Sequence, residues 1–353
     1  MKKRNLFALC LIAVFALTFT ACSDDDDGNN VIPEYLEGAV AYTAGAGNWN
    51  QNNGTVGAIM ENTIGEFNFR DIYQEQNGRG IGDAQDILLA GGNIYVACTT
   101  SSKLEILDHQ GKVEKSIAMP NKSPRYLAVD GSNVYVSAYS GYVYKVFSGN
   151  IVDSVYVGDH PEAISVANNK LYANISGYGS GSTIAVVDLP SFKKTKDLPC
   201  ALDPYNQNVA STDGSAVYFV SCLDNQHPNV VQRINTSNDQ IDSLFNASAI
   251  AYSRLTNSLV CLNTYYDASY ATHFDGFFAY NLTTGERTNF DTSALKSPAQ
   301  VNVDPMTGYM YVIDNPSYTT PSVLFVYDKN GKLLTPNGVQ MGYSVQNVRF
   351  PIM

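Results

Sequence analysis

One unit recurs seven times along this chain: a short apolar run that ends in a polar turn-former, then a turn and a second strand-like run. The clearest copies are KLEILD before His109, TIAVVD before Leu189, GFFAYN before Leu282 and VLFVYD before Lys329. The closing residues of the seven copies are Glu61, Asp108, Ser148, Asp188, Asn235, Asn281 and Asp328, spaced 40 to 47 residues apart. One such unit cannot bury both faces of its own sheet, so the copies must stack on each other. A period of this size built from strands alone closes into a ring of blades. The expected fold is therefore all-β, a seven-bladed β-propeller. Abundant tyrosine and little helical periodicity agree with it.

The residues from Gln85 to Met119 show how one blade is written. Asp86 to Ala90 reads as inner strand a, Ile94 to Cys98 as b, Lys103 to Asp108 as c and Lys112 to Met119 as outer strand d. Gly, Asn and Asp occupy the turns between them. Strand b repeats as IYVAC, VYVSA, LYANI, VYFVS and MYVID, and its tyrosines (95, 135, 172, 218 and 311) are expected to pack between blades. At the start of the chain, Val40 to Thr43 reads as b, Gly57 to Glu61 as c and Phe67 to Tyr73 as d, with no strand a before them. Val345 to Pro351 can supply it, so the first blade is expected to be closed by the C-terminal strand, which removes two exposed sheet edges.

Residues 1–21 read differently. Lys2, Lys3 and Arg4 precede an apolar run from Leu6 to Phe19 that is short for a bilayer span, the pattern of a cleaved signal peptide. Phe19-Thr20-Ala21-Cys22 resembles a bacterial lipobox, which implies lipidation at Cys22. Residues 22–34 carry four consecutive aspartates and read as an acidic, flexible tether that resembles the export signal of surface-exposed lipoproteins. Residues 35–353 then form the propeller. Loss of residues 1–21 would remove three basic residues and make the net charge of −11 more negative still. That balance argues against nucleic acid as a partner, because phosphate binding needs clustered Lys and Arg. Of the remaining cysteines, Cys98 and Cys261 sit in strand-like runs and read as buried thiols. A bridge between Cys200 and Cys222 is left open by the sequence.

In a propeller the d-to-a and b-to-c connections share one face. Here those connections are the long ones, which marks that face as the working one. The b-to-c loops carry Trp49 within 45–54, Tyr142 within 140–142, Tyr178 within 176–182, His227 within 224–229, Tyr318 within 315–322, and Tyr265, Tyr266, Tyr270, His273 and Phe274 within 264–275. Exposed aromatics among amides suit sugars and large ring systems. A second set comes from counting back two residues from the first apolar residue of each strand a. It gives Gln85, Arg125, Glu162, Gln207, Ser248, Ala299 and Gln346, expected to ring the mouth of the central channel. The ligand-binding candidates are therefore Trp49, Gln85, Arg125, Tyr139, Tyr142, Glu162, Tyr178, Gln207, Tyr266 and Gln346. The aromatics would stack on a ligand, and Arg125 and Gln207 would hydrogen-bond its polar groups.

Catalytic signatures are missing. None of the four histidines is placed at metal-helix spacing, and there is no HExxH, CxxC, GxSxG or P-loop. No catalytic residue, metal ligand or cofactor is expected, and the chain reads as a binding protein, not an enzyme. Were it a propeller hydrolase or lyase, His160, Glu162, His227 and His273 would be the first residues to consider.

The stretch NGRGIGDAQDI at 77–87, SPRY at 123–126 and the repeated b and c strands resemble the YncE-like surface propeller lipoproteins of gut Bacteroidetes. That group includes propellers that capture vitamin B12 and pass it to a TonB-dependent transporter. The resemblance implies a lipid-anchored outer-membrane protein, exposed at the cell surface, that captures a nutrient. Cobalamin or another corrinoid is the leading ligand, and a TonB-dependent transporter is the implied partner. A glycan-binding or adhesion propeller using the same aromatic loops is the alternative.

Overall fold

The acceptor that closes each copy of the repeat works inside its own turn. Asp108 Oδ1 accepts from the backbone N–H groups of Gln110 and Lys112, and Asp328 Oδ1 from those of Asn330 and Lys332. Glu61, Asp188, Asn235 and Asn281 likewise accept backbone N–H groups two to four residues on. Ser148 turns the chain with its own left-handed backbone, φ 47°. A short acceptor at this position replaces the missing ladder partner of the turn, which is why it recurs at the blade period.

The computed structural model describes residues 35–351 except 224–227, 267–268, 270–271 and 318, and leaves aside the side chains of Asn206, Tyr266 and Thr272. The expected signal peptide, Cys22 and the tether lie outside these residues, as do His227, Tyr270 and Tyr318. The described residues form seven four-stranded antiparallel sheets, a seven-bladed β-propeller. The inner strands are Asp86–Ala90, Pro124–Asp130, Pro161–Ala167, Pro204–Ala210, Ala249–Ser253, Pro298–Val303 and Val345–Arg349. The last of these pairs with Ala39–Gly45, Tyr42 opposite Arg349 and Gly45 opposite Val345, so the first blade is built from both ends of the chain.

The core lies between blades. All five strand-b tyrosines are buried. Tyr135 packs on Phe192 of the next blade at 5.7 Å, and the Tyr172 hydroxyl donates to Asp239 of the next blade at 3.0 Å. Around the axis the inner strands are tied by side chains. Asp86, fully buried, accepts from the Leu127 backbone N–H at 2.9 Å and from Asn347 Nδ2 at 2.7 Å. Bonds of this kind satisfy polar groups that a narrow channel would otherwise strand.

Three details depart from the sequence reading. The outer strand of the first blade ends at Arg70, and Ile72–Asn77 is a short helix, because the Asp71 side chain caps Gln74 N–H and Gly78 closes it in the left-handed region. The stretch 264–275 is mostly strand, not loop. Ser258–Tyr266 and Thr272–Asn281 run on as a hairpin whose Tyr265 and His273 rings stack at 5.3 Å. Tyr142 begins a strand, Tyr142–Phe147. All four described cysteines are free thiols, with Cys98 and Cys261 buried. No helix among the described residues is long and apolar enough to cross a membrane.

Candidate functional site

The inner strands of blades three, four, five and seven each open on a proline, Pro124, Pro161, Pro204 and Pro298, and each carries a bulge just after it. Proline has no N–H to offer the ladder, so the strand can swell there and aim the next side chain at the axis. In blades three and four those side chains are Arg125 and Glu162.

The two meet as a buried ion pair. Arg125 Nε and Nη2 donate to Glu162 Oε2 at 3.0 and 2.9 Å, and Nη1 donates to Gln85 Oε1 at 2.7 Å. The Tyr139 hydroxyl donates to the other carboxylate oxygen at 2.5 Å, and the Tyr139 ring lies under the guanidinium at 4.6 Å. Arg125 is 6 % exposed and Glu162 1 %. Burial pushes the Glu162 carboxyl above its usual range, opposed by Arg125 and Tyr139. Burial would lower the Arg125 pKa, but Glu162 and the surrounding tyrosines hold it above its ordinary value. Burial and Glu162 together raise the Tyr139 hydroxyl. Three donors on one carboxylate fix the geometry of the pair.

Two further rings stand on this floor. His160 packs on Tyr139 at 4.9 Å and on Tyr178 at 5.2 Å, and its Nδ1 bonds Asp159 at 2.8 Å. Both His160 (φ 45°) and Tyr178 (φ 57°) have left-handed backbone, an unfavourable state for bulky residues that the surrounding loops must hold. The Tyr178 loop is pinned by Ser176, whose Oγ donates to Asp203 at 2.5 Å and accepts from Gly179 N–H. Tyr178 itself is 78 % exposed.

Beside this cluster lies a cavity of about 510 Å³ lined by Trp49, Asn50, Asn52, Asp83, Gln85 and Arg125, among others. Its walls are stapled together. Asp83 accepts four hydrogen bonds from the N–H and hydroxyl groups of Thr100 and Ser101, and Gly54 N–H donates to the Gly82 carbonyl at 2.9 Å. A Cβ at Gly54 would run into that carbonyl oxygen. Trp49 is 77 % exposed at the loop tip.

Gln85, Arg125, Tyr139, Glu162 and Tyr178 thus come together, with Trp49 across the adjoining cavity. Arg125, which lines the Trp49 cavity, gives three of its five N–H groups to Glu162 and Gln85. Gln207 has other partners than this cluster. The bulge of blade five holds two extra residues, so Tyr205 follows the proline in the place of Arg125 and Glu162. Gln207 lines an axial cavity of about 330 Å³ instead, donating to Gln300 at 2.6 Å and accepting from Ile250 N–H. Tyr142 packs on Tyr156 of the outermost strand of its blade at 5.4 Å, away from the axis. Gln346 borders a second cavity on the same face. Tyr266 ends its strand, and its side chain lies outside the description. His160 and Tyr205 are the residues the binding-site reading missed. Among the described residues, no group of three His, Cys, Asp or Glu side chains could hold a metal ion.

No family model matches the chain, and no curated protein does. Solved structures do. A quinoprotein alcohol dehydrogenase-like protein from Bacteroides thetaiotaomicron superposes with a TM-score of 0.63 at 16 % identity, over 89 % of this chain and 78 % of that one. A 6-phosphogluconolactonase-like protein from Bacteroides fragilis gives 0.62 at 13 %, over 90 % and 99 %. Hydrazine synthase from Kuenenia stuttgartiensis gives 0.60 at 16 %, over 70 % and 77 %. At these identities the likeness is one of fold alone, that of a β-propeller.

Proposed function

We propose that this is a ligand-binding propeller that captures a nutrient on the face bearing Trp49 and Tyr178, without chemical conversion. The observation that carries the reading is the three-ring cluster of Tyr139, His160 and Tyr178, set on a fully paired Arg125–Glu162 floor beside the Trp49 cavity. A floor whose charges are satisfied internally leaves ring faces and neutral groups for the ligand, which suits a large, mostly uncharged molecule. Cobalamin or another corrinoid is the leading ligand, supported by the sequence resemblance. In the same reading the protein is lipidated at Cys22, displayed on the outer membrane, and delivers its ligand to a TonB-dependent transporter. The bond between His160 Nδ1 and Asp159 Oδ1 orients the ring against its aromatic neighbours.

The test is isothermal titration of the purified protein with cyanocobalamin. A one-to-one complex is expected. Trp49→Ala and Tyr178→Ala should each weaken it by about 10- to 30-fold, the cost of removing a central aromatic contact. Tyr142→Ala should leave affinity unchanged. Absence of heat at micromolar protein would remove the corrinoid.

A glycan is the second reading, favoured by one feature: Trp49 stands 77 % exposed beside the amides of Asn50 and Asn52, a pairing suited to a sugar ring. A glycan screen follows if cyanocobalamin fails.

A further inference from the structure

Blade six ends on an outer strand of three residues, Arg287–Asn289, where the outer strands of the other blades run to five to seven. It covers only Phe278 to Tyr280 of the neighbouring strand. Beside it, against the end of the outer strand of blade five, lies a cavity of about 400 Å³ lined by Phe245, Asn246, Asn263, Phe278, Tyr280 and Arg287. Register puts four of these on one face of the sheet. Asn263 stands opposite Gly276 and Arg287 opposite Tyr280, and Phe278 alternates with both.

Two of the four carry open polar groups. Arg287 lies over Phe278, its guanidinium carbon 3.7 Å from the ring centre, and a Cβ on Gly276 would come within 2.9 Å of Nη2. The glycine therefore makes room for the guanidinium. Nε donates to Asn289 Oδ1 at 2.8 Å, while neither Nη has a hydrogen-bond or ion-pair partner among the described residues. Arg287 is itself exposed, so a ligand can reach it. The Asn263 carboxamide has no partner on its Oδ1, although that atom is shut off from solvent. A buried polar atom in this state calls for a partner. Asn246 spends its Nδ2 on the Pro228 and Asn229 carbonyls and keeps its oxygen. Phe245 and Tyr280, 4.5 Å apart, make the apolar wall.

An open guanidinium edge beside aromatic rings defines the chemistry that fits. A carboxylate matches the fork of N–H groups, and Asn263 can turn its Nδ2 to the same group. A ring joined to that carboxylate covers Phe245 and Tyr280, and a ring hydroxyl donates to the Asn246 oxygen. Inorganic phosphate brings charge but nothing for the rings. An ammonium group would find the amide oxygens but would sit beside a cation. Aromatic acids and sugar acids share the fitting chemistry.

We infer that this cleft on the rim of blade six is a binding site for a carboxylate carried on a hydroxylated ring, held by Arg287 and Asn263 against Phe245 and Tyr280. It shares no lining residue with the Trp49 cavity, so the inference does not depend on the corrinoid reading.

It is tested on the purified protein by saturation-transfer NMR, with 4-hydroxybenzoate and glucuronate as probes and 4-hydroxybenzamide and tyramine as controls. Saturable binding of at least one acid is expected, at the roughly millimolar strength such small ligands reach. Arg287→Gln should weaken it about 10-fold or more, since a charge-assisted fork is lost. Binding of 4-hydroxybenzoate alone assigns the site to aromatic acids, and of glucuronate alone to sugar acids. Either supports the inference, and it stands even if cyanocobalamin gives no heat. Equal binding of either control, displacement by cyanocobalamin, or an affinity unmoved by Arg287→Gln overturns it. So does binding of neither acid, which would mean that water alone serves Asn263. Should Arg287→Gln fold poorly, Asn263→Asp carries the same prediction by setting a like charge against the carboxylate.

Discussion

Removal of residues 343–353 is expected to lower the melting temperature by about 10 °C or more, the fall that a loss of several kcal/mol produces in a domain of this size. The segment supplies the inner strand of the first blade. Val345 and Val348 are fully buried, and each such side chain contributes about 1.5–3 kcal/mol. Phe350 packs edge-on to Tyr311 at 4.9 Å. The deletion also strips Asp86 of two partners, Asn347 Nδ2 at 2.7 Å and Arg349 Nη2 at 3.2 Å. That leaves a fully buried carboxyl with one backbone donor from the next blade, a costly state. The strand edge of Ala39–Gly45 becomes open to solvent, so aggregation on heating should rise as well. Differential scanning calorimetry of the two chains reads both effects. A melting temperature unchanged by the deletion would mean that the ring closes without its seam.

Much of this architecture is written locally. Six of the seven turn-formers from Glu61 to Asp328 close a turn through their own side chain, and Ser148 through its backbone, so they recur at the blade period and reveal it. The buried tyrosines of strand b are legible for the same reason, since each sits at the same place in the same five-residue run. The site is less legible, because it depends on where strands bulge. Counting back from the apolar run finds Arg125 and Glu162 but selects Gln207 in blade five, where two extra residues have been inserted. Counting forward from the proline that opens the strand selects Tyr205. That signal is present in Pro124-Arg125, Pro161-Glu162 and Pro204-Tyr205. The His160–Tyr178 contact has no such signal. It rests on two bulky residues in left-handed backbone, brought together by loops from neighbouring stretches, and neither residue type announces that conformation. Tyr142 shows the opposite failure: a turn-like Ser-Gly-Tyr places it in a loop, whereas cross-strand pairing with Ala138 and Tyr156 draws it into the blade.

The second large effect concerns the floor of the site. Glu162→Leu is expected to cost about 3–5 kcal/mol, because it leaves the Arg125 guanidinium buried without its counter-charge. Arg125→Met should cost a comparable amount, stranding Glu162, whose carboxyl would then protonate more readily. The double variant Arg125→Met/Glu162→Leu should recover most of the loss, since a well-packed apolar pair often matches a buried ion pair in stability. Urea denaturation of the four proteins gives the coupling directly. A single Glu162→Leu loss below about 1 kcal/mol would show that Arg125 swings into the Trp49 cavity and finds water, so that the pair is not a fixed floor. The stability of the double variant also bears on why the pair exists. If apolar residues hold the fold equally well, stability does not explain a guanidinium bonded to Glu162 and Gln85 while stacked on Tyr139. What the ion pair adds is direction: three neighbours held in fixed orientation at the channel mouth, with Tyr139 turned to support His160 and Tyr178. The stable double variant should therefore bind the ligand of this face more weakly than the wild-type protein, and equal affinity would reduce the floor to packing.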